Sequence, residues 1–130
     1  MENPKQIVLD TNFLLLPFRY KINIIKELDH LVEKSHKFVI SSKTIDELQK
    51  LGKRVGKDGM AARLAIKMID AAKAGFEIMP SDREVDDWIV EYAVATRAIV
   101  CTNDSELRRR LRASKIKIVT MKSRSKIGYA

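Results

Sequence analysis

IVLDTNFLL, residues 7–15, begins as a β-branched-rich run, Ile7-Val8-Leu9, and stops at an acid, Asp10. Three apolar residues without polar alternation suit a strand covered on both faces. An aspartate closing such a strand, followed by Thr11 and Asn12, suits a chemical site better than a plain strand end. The unit recurs along the chain. Phe38-Val39-Ile40, Phe76 to Met79, Ile99-Val100-Cys101 and Ile116 to Val119 read as four further short strands.

Helical patterns separate them. A loop with Pro17 follows the first strand, and then Ile22, Ile25, Leu28, Leu31 and Val32 fall at helical spacing, predicting an amphipathic helix over 22–32. Ser41 and Ser42 mark the exit from the second strand. Ser42 or Thr44 is expected to cap a short helix around Ile45, Leu48 and Leu51, with Thr44 and Glu47 fitting a capping box. Gly52, Gly56 and Gly59, with Lys53, Arg54 and Lys57 among them, predict a mobile basic loop. Further helices are expected over 60–74, 84–96 and 104–113. From about residue 122 the chain reads as a polar, basic tail.

Short apolar strands joined by crossover helices predict an α/β/α sandwich: a central, mostly parallel, five-stranded sheet with helices on both faces. At 130 residues the chain can bury its own core, so one domain over residues 1–130 is expected. A hydrophobic fraction of 45% and only three prolines disfavour disorder and collagen-like architectures. MENPKQIVLD does not read as a signal peptide, and no apolar stretch is long enough to span a bilayer, so the cytoplasm is the expected location.

The net charge of +8 favours an anionic partner, nucleic acid first. The bland alternative is solubility alone. Nine basic residues fall between Arg108 and Lys126 with no acid among them, a density that suits a phosphate backbone. The candidate RNA-binding residues are Lys53, Arg54, Lys57, Arg108, Arg109, Arg110 and Arg112. A membrane surface fits less well, because this stretch lacks a long apolar helical face. Cys101, the only cysteine, reads as a buried strand residue rather than a nucleophile, and it has no partner for an intramolecular disulfide.

Four acids sit where strands hand over to helices. Asp10 ends the first strand, Glu47 lies early in the helix after the second, Asp87 opens the helix after the third, and Asp104 follows the fourth. In a parallel sheet all four gather at the carboxyl edge, where open α/β sheets place their ligands. Clustered carboxylates repel one another unless a cation compensates. Mg²⁺ or Mn²⁺, one or two ions, suits such oxygen donors, and such ions serve phosphodiester cleavage. Asn12, Asp86, Thr102 and Asn103 are expected to hydrogen-bond behind these ligands. Each acid also has a structural reading: Asp10 as a strand end, Glu47 as a capping residue, Asp86 and Asp87 as favourable charges at a helix N-terminus, and Asp104 as a helix cap. Glu106, His30 and His36 read as surface or structural residues, and Trp88 as core, with packing against a partner as its alternative.

Four segments resemble the PIN-domain nucleases: IVLDTNFLL (7–15), SSKTIDELQKL (41–51), EVDDWIVEYA (84–93) and IVCTNDSELRRRL (99–111). The last looks especially like the archaeal branch related to VapC-type toxins and small-subunit rRNA-processing nucleases. The resemblance covers about residues 6–121. It implies metal-dependent cleavage of single-stranded RNA, with Asp10, Glu47, Asp87 and Asp104 as catalytic metal ligands. It also implies dimerisation as a homodimer, and pairing with an inhibitory antitoxin or a pre-ribosomal particle. The sequence departs from the related nucleases at Glu106, where an aspartate is frequent.

Two rivals make different predictions. Phosphotransfer domains also place an aspartate after strand one, but a haloacid-dehalogenase-like enzyme expects a second aspartate where Asn12 stands, and a receiver domain expects an acidic pair that is missing near the first strand. A non-catalytic RNA-binding or ribosome-assembly module would bind RNA without metal and cut nothing.

Overall fold

The computed structural model describes residues 3–72 and 75–130. The elements run β1 (Lys5–Leu9), α1 (Thr11–Leu14), α2 (Leu16–Tyr20), α3 (Ile24–Leu31), β2 (His36–Ser41), α4 (Ser42–Gly52), α5 (Lys57–Ala71), β3 (Phe76–Met79), α6 (Val85–Thr96), β4 (Ile99–Cys101), α7 (Ser105–Ala113), β5 (Ile118–Ser123) and β6 (Lys126–Tyr129). The strands form one sheet in the order β3-β2-β1-β4-β5-β6. The first five are parallel, and β6 runs antiparallel to β5. The chain therefore adds strands outward on one side of β1, then returns to add them on the other. The direction of winding switches between β1 and β4, where Leu9 lies opposite Cys101.

Alternate residues of each strand feed two separate cores, because successive side chains point to opposite faces of a sheet. Ile7, Leu9, Phe38, Ile40, Ile99 and Val119 pack with α1 to α5. Val8, Val39, Val100 and Ile118 pack with α6 and α7 through Val85, Trp88, Ile89, Ala93, Leu107 and Leu111. The result is the expected α/β/α sandwich. Trp88 is a core residue, stacked on Tyr92 with ring centroids 4.8 Å apart. Cys101 is fully buried, and burial raises its thiol well above the ordinary value, as suits a core strand residue.

Several expectations change. The sheet has six strands rather than five, because the basic tail folds back: Met121 pairs with Ile127 and Thr120 with Gly128. The predicted loop around Pro17 is helical. Asp10 caps α1, and Pro17 occupies the first turn of α2, where its missing N–H costs nothing. Neither helix is long enough to stand alone. Burial of Phe13, Leu14 and Leu16 holds them, each side chain contributing roughly 2 kcal/mol of transfer free energy. The basic loop is shorter than predicted, because α5 begins at Lys57 and Gly59 lies inside it. A Cβ on Gly59 would stand 1.9 Å from the Arg54 carbonyl oxygen, so glycine serves here for close approach. The predicted end of this helix at Ala74 lies outside the described residues. Among the described residues no helix is long and apolar enough to cross a membrane.

Candidate active site

The switch between β1 and β4 opens a polar cleft of about 180 Å³ at the carboxyl edge of the sheet. Asp10, Thr11, Asn12, Glu47, Glu84, Val85, Asp86 and Asp104 line it. Acids far apart in sequence meet here because each directly follows a different strand or opens the helix after one.

Asp10 is the most enclosed, with 6% exposure. Its backbone N–H donates to the Cys101 carbonyl at 3.2 Å, continuing the β1–β4 ladder by one residue. Its Oδ1 accepts from the Phe13 N–H at 2.7 Å, and its Oδ2 accepts from the Thr102 hydroxyl. Burial pushes this carboxyl up to about 6. The Thr102 hydroxyl and Phe13 N–H pull it back, and the negative charges of Asp86 and Asp104 push it further up.

Asp104 caps α7, with Oδ1 accepting from Leu107 N–H at 2.7 Å. Its own N–H donates to Thr102 Oγ1 at 3.0 Å. The fully buried Thr102 thus joins two of the acids. Glu47 reaches the cleft from α4 and accepts a hydrogen bond from the Thr11 hydroxyl. The predicted Thr44–Glu47 capping box does not form. Ser41 caps α4 instead, its Oγ accepting from Lys43 N–H at 3.1 Å, while Thr44 is buried inside the helix with its hydroxyl unpartnered among the described residues.

The acidic pair on α6 divides differently from the sequence reading. Asp86 lines the cleft, whereas Asp87 turns aside and accepts from Arg110 of α7 at 2.9 Å. One helical residue rotates the side chain by about 100°, and burial of Val85, Trp88, Ile89 and Ala93 against the sheet turns Asp86 rather than Asp87 toward the cleft. Burial raises the Asp86 carboxyl, the charges of Asp104, Glu47 and Glu84 raise it further, and Arg110 opposes them. Glu84, at the N-cap of α6, also lines the cleft, and the sequence reading did not single it out. Its place one turn before the predicted helix interior, beside Asp86, was the signal available.

Other candidates lie elsewhere. Asn12 is in the cleft, but Asn103 faces β5, where its Oδ1 accepts from Thr120 Oγ1 at 2.8 Å and Met121 N–H at 2.7 Å. Glu106 pairs with Arg109, which holds its carboxyl below the ordinary range. Lys53, Arg54 and Lys57 are exposed at the α4–α5 turn and the start of α5, and do not line the cleft. Arg108 is half-buried, and Arg110 is engaged with Asp87. Arg112 lines a separate groove with Lys115, Lys117 and Tyr129. His36 bonds Asp29 at 2.6 Å at the start of β2, the strand end opposite the cleft.

Among the described residues, no three His, Cys, Asp or Glu side chains stand together as a ready-made ion cage. The donor chemistry of the cleft nonetheless fits a hard cation. It is all oxygen, and the neighbouring carboxylates add to the rise that burial gives Asp10 and Asp86. Mg²⁺ characteristically takes one or two carboxylates and keeps several waters, so it does not require a complete protein cage.

Residues 7–124 match the family described as PIN like domain. The chain is 32% identical over 123 residues to Ribonuclease VapC4 of Methanocaldococcus jannaschii, covering 92% of each. It is 29% identical to Ribonuclease VapC9 of Archaeoglobus fulgidus, covering 92% of this chain and 85% of that protein. The solved structure of the PIN domain endonuclease Utp24 superposes with a TM-score of 0.79 at 27% identity, over 97% of this chain and 91% of that one. A domain of a functionally unknown protein from Methanocaldococcus jannaschii shares the fold, with a TM-score of 0.63 at 18% identity, over 92% of each chain. With the family match spanning residues 7–124, and a relative 32% identical over 92% of the chain, the chain belongs to the PIN-like domain family.

Proposed function

We propose that this chain is an endoribonuclease that uses Mg²⁺ or Mn²⁺, one or two ions, to hydrolyse phosphodiester bonds in single-stranded RNA. It would act through one domain taking in residues 1–130. The observation that carries the reading is the meeting of Asp10, Glu47, Asp86 and Asp104 in one polar cleft. We assign the metal-holding role to these four, with Asp86 in the place that the sequence resemblance gave to Asp87. A bound divalent cation supplies an activated water and neutralises charge on the scissile phosphate.

The remaining work falls to the protein. Phe13 N–H and the Thr102 hydroxyl fix both oxygens of Asp10, so the carboxylate does not reorient when it meets a cation. The Thr11 hydroxyl orients Glu47 in the same way. Leu107 N–H holds Asp104. Arg110 neutralises Asp87 and lowers the repulsion around Asp86. The similarity to ribonucleases and to an endonuclease supports RNA as the polymer cut. Two biological roles fit, a toxin-like ribonuclease held by an antitoxin and an rRNA-processing enzyme working on a pre-ribosomal particle.

The test is cleavage of end-labelled single-stranded RNA with Mg²⁺ or Mn²⁺ by wild type and Asp10→Asn, with an EDTA control. Metal-dependent product from wild type alone is expected. RNA binding without cleavage under either metal, across several RNA substrates, would replace this reading with the non-catalytic RNA-binding module.

A further inference from the structure

The β5–β6 hairpin rises at the same edge of the sheet as the carboxylates. The last rung between β4 and β5 joins Cys101 to Val119. β5 then continues to Ser123, about 13 Å past that rung at the usual rise of a strand. The hairpin lies two strands over from β1, about 10 Å from the strand that delivers Asp10. Its outer end carries Lys122, Arg124 and Lys126, all exposed and none paired with a carboxylate among the described residues.

Three features hold this arm in place. Asn103 clamps Thr120 and Met121 to the loop that carries Asp104. Met121 and Ile127 pack on the core beneath α1 to α5, which fixes that face of the hairpin inward. A register shift lies between Met121 and Ser123, of the kind that bends a strand and re-aims its side chains beside functional sites. On the opposite face, the Lys122 stem passes over Gly128, where an added Cβ would stand 3.4 Å from Lys122 Cγ. This is the face of the sheet covered by α6 and α7, which bring Asp86 and Asp104.

We infer that the hairpin is an RNA-guiding arm, with Lys122, Arg124 and Lys126 contacting backbone phosphates that flank the scissile one. Without cations the cleft is acidic and repels a polyanion, so a cationic contact outside it favours retention of the strand. Edge strands often carry lysine to discourage aggregation. That role accounts for a bulge as well as for lysine, but it does not call for a hairpin anchored to the Asp104 loop or for cations at its turn. The inference rests on RNA being the substrate.

The experiment measures binding of a fluorescent single-stranded RNA in EDTA across a salt series. It compares wild type with Lys122→Glu/Arg124→Glu/Lys126→Glu and with Lys34→Glu/Lys115→Glu/Lys117→Glu, which alters the opposite edge of the sheet. The hairpin variant is expected to bind roughly ten-fold or more weakly, with the salt slope reduced by about 2, as loss of three single-strand phosphate contacts requires. The opposite-edge variant should change far less. Equal losses in both variants would reduce the effect to net charge and overturn the inference. Unchanged RNA affinity in the hairpin variant would also overturn it, and leave the arm to an acidic protein partner. The corresponding triple glutamine variant keeps the test decisive if charge reversal disturbs folding. A wild type that binds RNA in EDTA but never cuts would sink the nuclease reading and leave the arm standing.

Discussion

Thr102 gives its hydroxyl hydrogen to the Asp10 carboxylate across the β1–β4 junction, and no water-facing surface remains on Thr102 itself. The contact offsets only part of what burial does to Asp10, whose carboxyl stays near 6 against an ordinary 3.8. The folded protein therefore holds this proton more tightly than the unfolded chain does. Without metal, this group makes stability fall as pH rises from about 4 to about 6, by roughly 3 kcal/mol, and adds nothing to the slope above that range. Asp10→Asn removes the penalty. Its amide oxygen can still accept from Phe13 N–H, and its NH₂ can donate to Thr102 Oγ1 beside the Asp104 N–H, although the Thr102 hydroxyl hydrogen then loses its acceptor and offsets part of the gain. Thermal melts in EDTA should show the variant more stable than wild type at pH 7.5, by roughly 5 °C or more, and little different at pH 4. A variant less stable than wild type at pH 7.5 would contradict this account.

Asp86 and Asp87 are neighbours in sequence with opposite duties. Asp86→Asn should lower metal-dependent cleavage by roughly a hundred-fold, as removal of an electrostatic active-site group commonly does, and weaken Mn²⁺ binding in calorimetry. Asp87→Asn breaks a partly exposed ion pair with Arg110 and should cost no more than about 1 kcal/mol of stability. Its cleavage should fall far less. The reverse ranking in kcat/KM would restore Asp87 as the ligand.

Glu47 and Ser41 separate function from capping on α4. Ser41→Ala removes the observed cap and should cost about 1 kcal/mol in urea unfolding. Glu47→Gln should leave stability within about 0.5 kcal/mol, since no capping box depends on it, while cleavage drops sharply. Equal destabilisation by both changes would show that Glu47 supports the helix after all.

Gly59 is fixed by contact rather than by flexibility. Gly59→Ala drives a methyl into the Arg54 carbonyl and should destabilise by roughly 3 kcal/mol, the upper range of overpacking. Gly56, with φ of +94° and ψ of −169°, sits in a backbone region open essentially to glycine alone and should cost about 2 kcal/mol as alanine despite the open space around it. Chemical unfolding midpoints of the two variants test the order.

The parts legible in the sequence are those in which one local pattern has one structural outcome. The apolar runs at Ile7, Phe38, Phe76 and Ile99 lie in the strands they predicted, and the spacing from Ile22 to Val32 encloses α3. The missed parts depend on partners distant in sequence. Leu14, Leu15 and Leu16 show no helical period because three consecutive residues where α1 passes into α2 are all buried. Lys126 to Tyr129 has little strand character of its own and becomes a strand because Met121 and Ile127 meet across the turn. Gly59 looked like a breaker because a close backbone approach leaves no mark in a single sequence. The site followed the same rule. Topology alone gathers Asp10, Glu47 and Asp104 at one edge, whereas the choice between Asp86 and Asp87 turns on the phase in which α6 buries Val85, Trp88, Ile89 and Ala93 against the sheet, a one-residue rotation that two adjacent aspartates do not mark.

The two cores lie on opposite faces of the sheet, and the cleft draws on both. Glu47 arrives with the layer of α1 to α5, Asp86 and Asp104 with the layer of α6 and α7, and Asp10 from the seam between them. A chain that has assembled only one layer carries an incomplete set of acids. The fold thus acts as its own safety catch: the charge cluster comes into being only after both halves have closed on the sheet, and it disperses as soon as either lets go.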